Sequence, residues 1–398
     1  MLEEVEKRVL DKIFGEESIA LAKEMIKINS ENPPGNEKSL ADYMVGVFNG
    51  IGLKAFQLDF LPNRPNVVAI YGSRDQGKSL IFDGHLDTVP CGDLSLWSVN
   101  PLEGVIRDGR LYGRGATDMK SSIAAFTCAL KAIVDSGIKL KGQVIIVLTS
   151  DEEISGLGTK SVLEKGYHAD AAIVGEPSNL EVNTAHKGVA RWRLTTFGKA
   201  AHASTPQEGV NAIYKMAKAV IKLEGIAEKY LQQEERAHPI LGGPTLNVGI
   251  IRGGVKDNIV PDSCEITIDR RLLPGETWHE VEKEFREELE KLSREDPNFK
   301  YELKPYQVYN AAETPSTHPF VRLAKNAVKD VLGRESTVEG FVATTEMSHL
   351  VEAGIPSIIL GCGDLKVAHT VNEYVPVQQI VDATKIYALI ILRYLGTQ

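Results

Sequence analysis

Histidine and carboxylate side chains recur along this chain in short glycine-containing segments, a mixture suited to holding divalent cations and to moving protons. Gly84-His85-Leu86-Asp87 sets an imidazole and a carboxylate two residues apart, directly after an apolar run. Taken alone it also reads as a turn capped by Asp87 around a hydrogen-bonded histidine. Asp118, in Gly113-Arg-Gly-Ala-Thr-Asp118-Met-Lys, precedes the helical pattern of Ile123, Phe126, Leu130 and Ile133, so it reads as a ligand or as a helix N-cap. Ser150-Asp151-Glu152-Glu153 gathers three carboxylates whose repulsion is costly without a cation, although a solvated acidic loop has the same composition. Glu176 in Gly175-Glu-Pro177, Asp364 and His369 follow further apolar runs.

A sheet must bring these groups together. Residues 80–82, 144–148, 171–174 and 357–360 are short apolar runs without alternation, separated by helical stretches, and they read as buried parallel strands. Each chemical group follows one of these strands or opens the next helix, which is the edge where open α/β sheets bind ligands. Residues 17–28 and 40–48 read as helices broken by Asn32-Pro-Pro-Gly-Asn36. After Ala185 the pattern changes to an alternating strand (189–196), a long helix (209–230), two strands (245–251 and 265–272), a helix (278–292) and a strand near 299–303. The expected fold class is therefore α/β, with a mixed, mostly parallel sheet flanked by helices on both faces. An α+β domain at 187–305 interrupts the sheet domain, which occupies 1–186 and 306–398.

Two histidines and several carboxylates on one edge suit zinc or a similar divalent ion. The carboxylates exceed what one tetrahedral ion needs, whereas two ions about 3.5–4 Å apart with one bridging carboxylate use them. Adjacent Glu152 and Glu153 cannot readily point the same way, so one can ligate while the other faces an activated water. Four cysteines (Cys91, Cys128, Cys264, Cys362) show no C-x-x-C spacing, which disfavours a disulfide framework or thiolate metal site. With 43% hydrophobic and 25% charged residues, the 398-residue chain is not extensively disordered. A net charge of -9 and a pI near 5.6 argue against nucleic acid or an anionic membrane as the main partner. The apolar stretch 386–392 is far short of the ~20 residues that span a bilayer, and the N-terminal residues lack a signal-peptide pattern, so a cytoplasmic location is expected.

Six ordered segments carry a resemblance: Gly84 to Asp87, Gly113 to Lys120, Asp151-Glu-Glu153, Gly175-Glu-Pro177, Gly198-Lys-Ala-Ala-His202 and Ala368-His-Thr-Val-Asn-Glu373. Together they are similar to the acetylornithine deacetylase, succinyl-diaminopimelate desuccinylase and glutamate carboxypeptidase family of dinuclear zinc hydrolases. The resemblance spans nearly the whole chain. It implies a zinc-peptidase-like sheet domain and a ferredoxin-like inserted domain that serves as lid and dimerisation surface, hence a homodimer. It further implies two divalent ions, zinc before cobalt or manganese, with His85, Asp118 and Glu176 on one and Asp118, Glu153 and His369 on the other. Glu152 is then the general base, and Asp87 the carboxylate that orients His85. His202 is implied to stabilise the oxyanion, typically across the dimer. Asn258 and Arg271 are implied to contact substrate, with Arg270 the alternative because strand alternation lets only one of the pair face the site.

Four positions depart from the family pattern. Ser121-Ser122 stands where Gly-Gly is common and is expected to alter only the start of the helix; Glu346 replaces a frequent aspartate, and Cys362 a common proline. No Gly-x-Ser-x-Gly elbow is present, and Gly156-Leu-Gly-Thr-Lys-Ser161 lacks the frame of a phosphate loop. The expected substrate is a small N-acyl amino acid, with a dipeptide as the alternative. A non-catalytic metal-binding scaffold is the distant reading, disfavoured because a structural site has no use for Glu152.

Overall fold

A computed structural model describes residues 2–398. Helices α1 (Glu4–Leu10), α2 (Gly15–Lys27) and α3 (Glu37–Gly50) open the chain. An antiparallel hairpin follows, β1 (Lys54–Leu61), which is only partly buried, and β2 (Arg64–Gly72), whose mainly buried run is not among the strands expected from sequence. Then come β3 (Ser79–His85), β4 (Val105–Arg107), β5 (Arg110–Tyr112), α4 (Ser121–Asp135), β6 (Gln143–Thr149), α5 (Leu157–Glu164), β7 (Ala171–Val174) and β8 (Val182–His186). The inserted elements are β9 (Gly188–Phe197), α6 (Ala212–Gln232), β10 (Thr245–Gly253), β11 (Ser263–Leu272), α7 (Trp278–Glu295) and β12 (Lys300–Tyr309). The chain returns through β13 (Ala312–Glu313), α8 (Pro319–Leu332), β14 (Val338–Phe341), α9 (Met347–Glu352), β15 (Ser357–Ile359), β16 (Tyr374–Pro376) and α10 (Val377–Leu395).

Two compact units result. One comprises the residues up to Thr184 with Glu313–Phe341 and Thr345–Gln398; the other comprises Ala185–Ala312 with Val342–Thr344. The large sheet of the first unit runs β1-β2-β6-β3-β7-β15-β8-β13, with β14 also on β8. Its centre, β6-β3-β7-β15, is parallel, and antiparallel pairs lie at β1/β2, β2/β6 and β15/β8. Every residue of β3 and β7 is buried, which requires cover on both faces. Phe82 on β3 stacks on Phe126 of α4 at 4.1 Å between centroids and meets Tyr387 of α10 edge-on at 5.6 Å. Truncating such a ring to alanine costs about 3–5 kcal/mol. Register does the positioning: His85 pairs with Thr149, and Asp83 with Val174. The segments that follow β3, β6 and β7 therefore leave the sheet side by side.

The second unit has the strand order β10-β11-β9-β12, all antiparallel, with α6 and α7 burying Trp192 and Phe285 at 5.1 Å edge to face. In order of appearance this is strand two, three, one, four, the ferredoxin-like arrangement. Asn211 Oδ1 caps α6 by accepting from Ile213 and Tyr214 N, and a Thr277/Glu280 capping box starts α7. The sequence places a boundary at Pro305, yet β12 continues to Tyr309. Proline removes a ladder donor, but β12 is an edge strand and its register shifts between Pro305 and Gln307, so the missing N–H is tolerated. Among the described residues, no helix is long and apolar enough to cross a membrane.

Candidate metal centre

His85 ends β3 at 1% exposure, and its Nδ1 lies 2.8 Å from the carbonyl oxygen of Asp87. A carbonyl only accepts, so Nδ1 carries the hydrogen and the Nε2 lone pair is left for a cation. Nε2 faces Asp118 Oδ1 at 3.0 Å and Glu176 Oε1 at 3.6 Å. The Asp87 carboxylate is 3.8 Å from Nδ1 and is occupied elsewhere: it accepts from Asn32 Nδ2 (2.9 Å), Glu152 N (3.2 Å) and Glu153 N (3.1 Å). Asp87 thus meets His85 through its backbone and holds the Glu152-Glu153 turn with its side chain.

Asp118 is no N-cap. It lies in an irregular turn before α4, with φ -120° and ψ 93°, and α4 has no side-chain cap. Gly115 makes that turn possible: its φ is +80°, and a Cβ there would meet Thr88 Cγ2 at 2.7 Å. Buried Glu373 fastens the turn, accepting from Gly115 N (3.2 Å), Thr117 N (2.9 Å), Asp118 N (3.1 Å) and Arg114 Nη1 (2.6 Å). So held, Asp118 turns Oδ1 to His85 and Oδ2 to His369 Nε2 at 3.1 Å. His369 also reaches Glu153 Oε2 at 3.1 Å, while Glu153 Oε1 accepts from Val89 N at 3.1 Å.

Three sets of donor atoms lie within 4.8 Å of one another: His85, Asp118 and Glu176; Asp118, Glu153 and His369; Glu152, Glu176 and Glu346. The first two each join one imidazole to two carboxylates and share Asp118, a donor composition that fits a pair of zinc-like ions. Electrostatics agree. Burial pushes Glu152 and Glu176 well above the usual carboxylate range, with neighbouring carboxylates adding to the rise. Burial disfavours a charged His85, yet Asp118 and its acidic neighbours hold it well above its ordinary value. Asp118 raises His369 to about 10, with Glu153 assisting. This much paired and crowded negative charge is what a dication relieves.

In the second unit, His202 is exposed, with Nδ1 2.7 Å from Ser204 Oγ. The structure brings it to Asn258: His202 bridges Ile259, and Ala203 N donates to Asn258 O at 3.1 Å. Arg271 is not with them. That loop adjoins the Ser263 end of β11, whereas Arg271 pairs with Val189 near the other end, roughly 25 Å along the strand. Arg271 Nε bonds Asp269 Oδ1 at 2.9 Å on the partly exposed face, while fully buried Arg270 pairs with Glu276 at 2.9 Å. Sequence reasoning gave no role to Glu346, Glu373 or Asn32. Glu373 ends the His369 motif and Asn32 opens a helix-breaking segment, but neither type nor spacing distinguished them.

The chain matches the model of peptidase family M20/M25/M40 over residues 81–393. It is 31% identical over 396 residues to the N-formyl-4-amino-5-aminomethyl-2-methylpyrimidine deformylase of Bacillus subtilis, covering 93% of each chain. It is also 31% identical over 365 residues to the acetylornithine deacetylase of Myxococcus xanthus, covering 90% of this chain and 92% of that one. Among solved structures, aminopeptidase PepT from Bacillus cereus shares the fold with a TM-score of 0.80 at 22% identity, covering 96% of this chain and 98% of that one. The protein belongs to peptidase family M20/M25/M40, and is a hydrolase of C–N amide bonds.

Proposed function

We propose that the protein is a dinuclear metal-dependent amidohydrolase that removes the acyl group from a small N-acyl amino acid. The observation that carries this reading is Asp118, whose two oxygens each face a different imidazole. His85, Asp118 and Glu176 would hold one ion and Asp118, Glu153 and His369 the other, zinc before cobalt or manganese. When bound, such ions supply Lewis-acid polarisation of an amide carbonyl and a lowered pKa for water. Glu152 is the chain's proton carrier: it accepts the proton of the attacking water and delivers it to the departing amine. Asp87 supports both jobs, fixing His85 through its carbonyl and the Glu152 backbone through its carboxylate.

His202 supplies a donor to the developing oxyanion, and Asn258 and Arg271 grip the substrate. The separation between the His202 loop and Arg271 exceeds any small substrate, which supports a homodimer whose second copy contributes His202 and Asn258. We place the enzyme in the cytoplasm. The two sequence relatives, a deformylase and a deacetylase, favour acyl removal over dipeptide cleavage.

The test is a panel of N-acetyl, N-formyl and N-succinyl amino acids with matched dipeptides, assayed with metal-loaded and chelated protein. Acyl substrates should be cleaved, with activity lost on chelation and regained on adding zinc. Cleavage of none, at two bound equivalents, would return the protein to a metal-binding scaffold.

A further inference from the structure

Glu346 has no partner in the chain that surrounds it. It is 2% exposed, and neither carboxylate oxygen has a hydrogen bond from another residue. One of its oxygens is aimed into the centre, within 4.8 Å of an oxygen of Glu152 and an oxygen of Glu176. The charged groups around it are His85, Asp87, Asp118 and Asp83, and the imidazole is already committed to Asp118. A buried carboxylate without donors is strongly disfavoured unless a ligand brings them. Asp87 and Glu373, by contrast, are satisfied by donors of the protein itself.

We infer that Glu346 is a specificity-determining residue that receives a substrate ammonium group lying within one side chain's length of the scissile amide. This deepens the amidohydrolase reading and rests on it. Neutral substrates of the same shape would leave Glu346 unpaired, so the charge discriminates by penalty as well as by attraction. The ammonium has two possible sources, the side chain of a diamino acid or the free α-amine of a dipeptide.

The experiment compares wild type with Glu346→Gln, which keeps the shape and removes the charge. One arm measures kcat/KM on Nα-acetyl derivatives of 2,4-diaminobutyrate, ornithine and lysine against those of norvaline and norleucine. The other uses dipeptides with free and acetylated N-termini. Wild type should favour the cationic member of one arm by about ten- to a hundredfold, and the variant should bring that ratio near one. Metal content is measured in both proteins, and calorimetry follows the binding of ornithine, lysine and norleucine. An unchanged ratio would overturn the proposal, as would loss of a metal equivalent, which would make Glu346 a ligand. Should wild type cleave nothing, the hydrolase reading fails separately, and the calorimetric arm still decides. At least tenfold weaker binding of either diamine to the variant, with norleucine unaffected, then supports Glu346, and equal binding rejects it.

Discussion

Asp118 and Glu152 contrast within this centre: the first carboxylate is engaged by two imidazoles, and the second is not. Asp118 is drawn below the ordinary carboxylate range against the opposing effect of burial, because His369 and His85 both bond it. Glu152 is pushed the other way by burial and by Glu346, which suits the proton transfer proposed for it. Glu152→Gln should therefore keep two metal equivalents by elemental analysis while kcat falls about 10²- to 10⁴-fold. Full turnover in that variant would remove Glu152 from the chemistry. These residues were legible because each stands in a short motif beside a buried strand. The resemblance points to the Asp87 carboxylate beside His85; in the structure the Asp87 carbonyl is the nearer atom, and three N–H donors bond the carboxylate. Glu346 was marked only as a departure from a frequent aspartate near the substrate-facing loops, because a single glutamate in a loop looks the same whether solvated or buried.

At the scale of elements, the turn before α4 depends on a residue 255 positions away in sequence, for Glu373 accepts the N–H of Asp118. Lys120 locks the same turn to the end of α2, its Nζ donating to the carbonyls of Met25 and Ile28 at 3.0 Å each. Burial lowers that ammonium to about 8, and Glu373 opposes the drop. Glu373→Gln leaves a donor where only acceptors fit, so zinc affinity should fall about 10- to 100-fold, read by competition with a chelating dye. Unchanged affinity would make the clamp incidental. Two departures from the family pattern also explain each other here. Ser122 Oγ accepts the backbone N–H of Cys362 at 3.1 Å, so the serine does more than alter the start of the helix. A proline at 362 would offer no N–H, and a glycine at 122 would leave that buried donor unpaired. Sequence could not show this, because the partners lie on different elements.

For the whole molecule, the four buried strands were readable because parallel strands covered on both faces lose all alternation, and β6-β3-β7-β15 are adjacent and parallel. The antiparallel flanks were not, since β1 is partly exposed and β13 is only two residues long. The assembled charge has a measurable consequence in chelated protein. Asp118 and Glu153 raise His369 to about 10, and burial raises Glu346 to about 7, against ordinary values of 6.5 and 4.5. Both shifts are upward, so each contribution to stability is whole below the ordinary value and is lost as pH rises through the shifted one. Asp118 is shifted downward, and its contribution is lost only on acidification below 3.8. The melting temperature of chelated protein should thus fall between about pH 5 and 8, above which the lowered pKa of Lys120 works against the His369 loss, and the gain on adding zinc should widen over that range. A gain that shrinks with pH would contradict this. The central claim, two ions sharing Asp118, is tested most directly by titrating chelated protein with zinc and counting tight equivalents. Wild type should bind two and His369→Ala one, while Asp118→Asn should weaken both sites together; two equivalents at wild-type affinity in Asp118→Asn would contradict the account.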